Sequence, residues 1–134
     1  MLQPFSLDSS MLSLLGKTFY PSGYSMVMFP DGNDAALTGE RLSTETPDLD
    51  IFLLEPATIL RQITPTVADA DDPLPSAGTE GATVRAYTKL AREGHHGLLV
   101  ETPDADAAER MMRTVRQVPY SMAQRYRALV IEDL

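Results

Sequence analysis

Two stretches of the chain echo each other about 72 positions apart. Gly23-Tyr24-Ser25-Met26-Val27-Met28-Phe29 runs into Asp34-Ala35-Ala36 and then Arg41. His95-His96-Gly97-Leu98-Leu99-Val100-Glu101 runs into Asp106-Ala107-Ala108 and then Arg113. Each copy reads as an apolar strand, a polar turn and a helix. Each is followed by a further apolar run, Asp50 to Pro56 and Arg127 to Asp133. Neither β-α-β unit can bury its apolar face alone, so the two must share one interior.

Local signals fill in the elements. Leu12, Leu15 and Phe19 lie on one face of a possible opening helix that Gly16 would end. Pro30-Asp31-Gly32-Asn33 closes the first strand, with Asp31 or Asn33 as N-cap of a helix near Asp34 to Ser43 that Gly39 weakens. Ile51 to Leu54 is the second strand, and Ala57 to Ile63 adds two helical turns. Val84, Tyr87, Leu90 and Ala91 stripe a helix that Gly94 terminates. Thr102-Pro103-Asp104 reads as a helix start with Thr102 as N-cap, and Ala108, Met111, Met112, Val115 and Val118 as its buried face. The tail from Ser121 fits strand or helix; the repeat favours strand, with Leu129-Val130 answering Leu53-Leu54. The expected organisation is a single domain over 1–134. Residues 1–63 form the first half, 64–81 an exposed acidic, Pro-rich connector, and 82–134 the second half.

At 134 residues the chain is long enough for one core. It has no cysteine, which excludes disulfides, thiol nucleophiles and thiolate metal sites. No apolar run approaches the ~20 residues of a membrane span, and the apolar stretch at Met11 to Leu15 lacks the flanks of a signal peptide. A cytoplasmic protein with no membrane partner is the expectation. The formal charge of −8 is uneven: residues 1–82 hold twelve acids and three bases, residues 83–134 seven acids and eight bases. So acidic a body argues against general nucleic-acid binding, which rests on phosphate neutralisation by Lys and Arg.

The two-copy pattern resembles a ferredoxin-like (βαβ)2 sandwich, of class α+β. That resemblance implies an antiparallel sheet packed by helices on one face. The phrase Tyr20 to Pro30 followed by Asp34-Ala35-Ala36 resembles small bacterial general-stress-type domains. Leu90 to Val100 and Tyr126 to Leu134 look like the second half of an uncharacterised proteobacterial group of that type. The resemblance implies a stress-related or regulatory role and carries no functional residue across.

Candidate chemistry is sparse. His95 and His96 are the only histidines; as neighbours on extended chain they point to opposite faces and cannot chelate one metal together. Asp69, Asp71 and Asp72 lack the glycine and distant Glu of a calcium loop. Pro75 to Gly81 leads into a helix N-terminus without the lysine of a P-loop. Arg110, Arg113 and Arg116 recur every three residues, with Arg125 and Arg127 nearby. They form one basic edge, or a solvated face neutralised by Asp106 and Glu109 at i+4. Seven methionines suit an adaptable core or an interaction groove. No nucleophile–base pair, cofactor motif or metal-ligand spacing stands out. The expectation is a non-enzymatic protein-binding or regulatory module, a homodimer through a sheet face or edge. The alternative is a small-molecule or nucleotide sensor using helix N-termini and the arginine edge. In either reading Arg110, Arg113, Arg116, Arg125, Arg127, His95 and His96 are the candidate contacts.

Overall fold

The computed structural model describes residues 2–14, 16–67 and 79–134. Asp69, Asp71, Asp72, Ser76 and Gly78 therefore lie outside the described residues. The strands are β1 (Leu2–Pro4), β2 (Tyr24–Phe29), β3 (Ile51–Leu54), β4 (His96–Glu101), β5 (Met122–Tyr126) and β6 (Ile131–Asp133). The helices are α1 (Gly32–Glu45), α2 (Pro56–Thr58), α3 (Thr79–Arg92) and α4 (Ala105–Val115). Helix α2 runs on through a π turn, Ile59–Ile63, into a 3-10 turn, Thr64–Thr66.

The strands form one sheet in the order β1-β3-β4-β2-β5-β6, an α+β architecture in which only the β1–β3 contact is parallel. The two echoing strands are the central neighbours, with Tyr24 opposite Glu101 and Phe29 opposite His96. Alternation along β2 sends Met26 and Met28 to one face and Val27 and Phe29 to the other. On the first face lie Val84, Tyr87 and Ala91 of α3, Ile59 and Ile63, and the N-terminal Phe5, Met11 and Phe19. On the second lie Ala35 and Leu42 of α1 and Met111, Met112 and Val115 of α4. Helices thus cover both faces, correcting the expectation of one. The reason is that Met26 to Phe29 of β2 and Leu98 to Val100 of β4 are apolar on both faces, so neither face tolerates water.

The echo at 72 positions repeats the order of elements but not the direction of side chains. It aligns Met26 with Leu98, which lie on opposite faces, whereas Met26 pairs across the sheet with Leu99 on its own face. A one-residue slip of register exchanges the faces. In the tail, Ala123 to Tyr126 rather than Leu129-Val130 answer Ile51 to Leu54. Leu129 and Val130 are exposed in a turn closed by Arg127 N–H donating to Val130 O at 2.8 Å.

Three further expectations are corrected. Leu12 and Phe19 face each other in an antiparallel bridge, not on one helix, with Gly16 in the left-handed region at φ 88°. Gly39 does more than weaken α1: a Cβ there would stand 3.1 Å from Leu2 and Leu98 side-chain atoms, so glycine permits the close approach of helix to sheet. The N-cap of α4 is Asp104, which accepts from Ala107 N–H at 2.8 Å. Thr102 is instead buried, its hydroxyl 2.8 Å from that of Ser25. The ends of the supposed connector are also structured. Thr64 bonds Thr88 at 2.7 Å, Thr66 Oγ1 accepts from Phe19 N–H at 3.0 Å, and α3 already begins at Thr79.

Candidate functional site

The five arginines separate. Arg116 pairs with Glu109 at 3.4 Å, with both side chains about half exposed. Arg125 and Arg127 reach Glu132 on the neighbouring strand at 4.0 and 3.5 Å and border a shallow depression with Ser22, Gly23 and Thr102. Arg110 and Arg113 line a different hollow, between α1 and α4. One continuous basic edge is therefore not formed. The expected i+4 pairing with Asp106 and Glu109 is not made either, because Glu109 turns toward Arg116. Among the described residues Arg110 and Arg113 make no ion pair.

The histidines diverge as neighbouring positions at a strand start require. His95 Nδ1 lies 2.9 Å from Ser121 Oγ. The His96 ring presses on Gly32, and its Nδ1 is buried without a hydrogen-bond partner. Among the described residues no three His, Asp or Glu side chains converge as a metal site would require, and no helix is long and apolar enough to cross a membrane.

The α1–α4 hollow holds the most concentrated mixture of chemistry. The two helices lie side by side over the end of β4, and their small and branched side chains leave a cavity of about 260 Å³. Its floor is apolar, from Leu42, Val100 and Met111, all buried. Its rim is charged, with Arg110 and Arg113 from α4 and Glu45 from the end of α1. Glu101 borders it at the end of β4, but its side chain, opposite Tyr24 in the sheet and two residues from Leu99, points to the other face. Glu45 is positioned by a hydrogen bond, its Oε1 accepting from Thr114 Oγ1 at 2.7 Å. On the other face Glu101 Oε1 accepts from Asp50 N–H at 3.0 Å. Arg41 donates to Gln117 Oε1 at 2.9 Å, a second link between the two helices. On the opposite face of the sheet Tyr24 has its phenol pKa raised by burial first and by the charges of Glu101, Asp50 and Asp8 after it.

Glu45 was not foreseen as a site residue. It stands at i+3 from Leu42, so the helical stripe Leu42–Glu45 carried the signal. Which helix faced it was not readable. Compared with known families, curated proteins and solved structures, the chain matches none.

Proposed function

We propose that this chain is a non-enzymatic binding module that holds a small anionic molecule in the α1–α4 hollow. The observation that carries the reading is the pair of guanidiniums, Arg110 and Arg113, that make no ion pair among the described residues and stand above an apolar floor. Guanidinium is the side-chain group best suited to planar bidentate recognition of carboxylate or phosphate. At about 260 Å³ the cavity falls below the ~300–1,000 Å³ of sites for drug-sized ligands, which favours a small metabolite over a nucleotide. The protein-partner reading has less support. Helices occupy both sheet faces, and the outer strands β1 and β6 are three residues long, one ending in Pro4 and the other carrying Glu132 and Asp133. Short, charged or proline-bearing edges discourage strand pairing.

The fold reading belongs with this proposal. Strands β3-β4-β2-β5 run antiparallel throughout, with α1 and α4 on one face; this supports a ferredoxin-like (βαβ)2 core. The helical run after β3, together with α3, would be an insertion covering the other face.

Thermal melting against a panel of small carboxylates and phosphates tests the function. A ligand at a hundred times its Kd adds about 2.7 kcal/mol to stability, a rise of several degrees for a domain of this size. The expected result is such a rise for the wild type and its loss in Arg110→Ala/Arg113→Ala. A flat panel, or an equal rise in the double variant, overturns the reading.

A further inference from the structure

The rim of the α1–α4 hollow carries both signs of charge, and they do not neutralise each other. Among the described residues, no oxygen of Glu45 comes within 4.0 Å of an Arg110 or Arg113 nitrogen. Opposite charges on one concave surface ordinarily collapse into ion pairs unless their anchors hold them apart. Here the anchor is visible. Glu45 is tied to Thr114, and both guanidiniums rise from the exposed side of α4. Glu45 spends one oxygen on its anchor, and the other makes no hydrogen bond among the described residues.

From this we infer that the occupant is a zwitterion with an apolar body, an α-amino acid with an aliphatic or thioether side chain being the simplest fit. The inference rests on the binding function proposed above and narrows its ligand class. The ligand carboxylate meets Arg110 and Arg113, its ammonium meets the free oxygen of Glu45, and its side chain covers Leu42, Leu49 and Met111. A simple anion leaves that carboxylate unanswered and suffers its repulsion. A simple amine meets the converse penalty at the arginines. Size agrees, since a cavity of about 260 Å³ suits a molecule of amino-acid dimensions.

Isothermal titration of the full chain separates the possibilities with three matched probes: leucine, 4-methylpentanoate, which lacks the amine, and 3-methylbutylamine, which lacks the carboxylate. Leucine is expected to bind, with each truncated probe roughly ten- to a hundredfold weaker, as the loss of one charge-assisted hydrogen bond entails. Methionine serves as a second zwitterion if leucine's branching clashes. In Glu45→Gln the anchoring acceptor survives, so folding is retained and checked by melting. The preference for the zwitterion over the plain carboxylate should vanish there. Equal binding of leucine and 4-methylpentanoate to the wild type overturns this inference while leaving the anion-binding function standing. Failure of both zwitterions while a carboxylate or phosphate from the panel binds does the same. Silence from every probe overturns both.

Discussion

The phenol oxygens of Tyr87 and Tyr126 lie 2.9 Å apart in the core, joining α3 to β5 through the only polar atoms their buried rings carry. Burial pushes both phenol pKa values far up; the neighbouring Tyr126 adds to the rise at Tyr87, and the shared hydrogen bond only partly offsets it at Tyr126. The sign follows. In the unfolded chain a tyrosine ionises near pH 10, whereas here the folded state keeps its proton, so stability is full below about pH 10 and falls above it. Each of the two contributes a loss approaching about 1.4 kcal/mol per pH unit. Urea unfolding at pH 8, 9, 10 and 11 should show a plateau and then a steep fall. Tyr87→Phe/Tyr126→Phe should flatten that fall. Tyr126→Phe alone should cost about 1–3 kcal/mol at neutral pH, because it leaves the Tyr87 hydroxyl buried and unpaired.

On the opposite side of the sheet, Ser25 and Thr102 form the corresponding buried hydroxyl pair. Thr102→Val keeps the shape and strands the Ser25 oxygen, at an expected cost of about 1–3 kcal/mol. Adding Ser25→Ala should recover much of it, since removing both partners removes the desolvation penalty. Asp104→Ala should independently cost about 1 kcal/mol as the loss of an N-cap. The midpoints of urea denaturation for these variants measure all three effects. A Thr102→Val variant as stable as wild type would contradict the burial described.

The sequence stripes along α3 and α4 were legible because 3.6-residue periodicity is visible without knowing the partner surface. Val84, Tyr87, Ala91, Met111, Met112 and Val115 are all buried as their spacing implies. The strands were legible as elements, yet their faces were not. Met26 to Phe29 and Leu98 to Val100 are apolar at every position, so no alternation marks which residue meets which helix. That is why a repeat at 72 positions disguised a reversal of faces, and why the second helical layer went unseen. The arginines of α4 were found by their recurrence. Their opposing carboxylate, Glu45, comes from α1, a pairing that only the tertiary fold creates.

Leu129 shows the difference between hydrophobicity and burial. It stands in the apolar pair Leu129-Val130 that the repeat set against Leu53-Leu54, yet Leu129 is 94% exposed and Leu54 fully buried. Leu129→Ser should therefore change stability by no more than about 0.5 kcal/mol, as surface substitutions do. Leu54→Ala should cost about 2–5 kcal/mol. Chemical denaturation of the two variants compares them directly; similar losses would place Leu129 in the core.

The contact between Gly32 and His96 fixes how α1 begins. A Cβ at position 32 would stand 2.6 to 2.9 Å from three atoms of the imidazole ring, inside any tolerable contact. Gly32→Ala should therefore lower stability by about 1–3 kcal/mol, the usual penalty of overpacking, even though alanine is the better helix former. The sign of the change separates the two effects. Gly32→Ala/His96→Ala should restore part of the loss, because the smaller side chain at 96 vacates the space and takes with it the unpartnered buried Nδ1. A double-mutant cycle read by urea midpoints measures the coupling, expected at 0.5–3 kcal/mol for residues in contact. Simple additivity of the two substitutions would mean that the ring does not rest on the helix start.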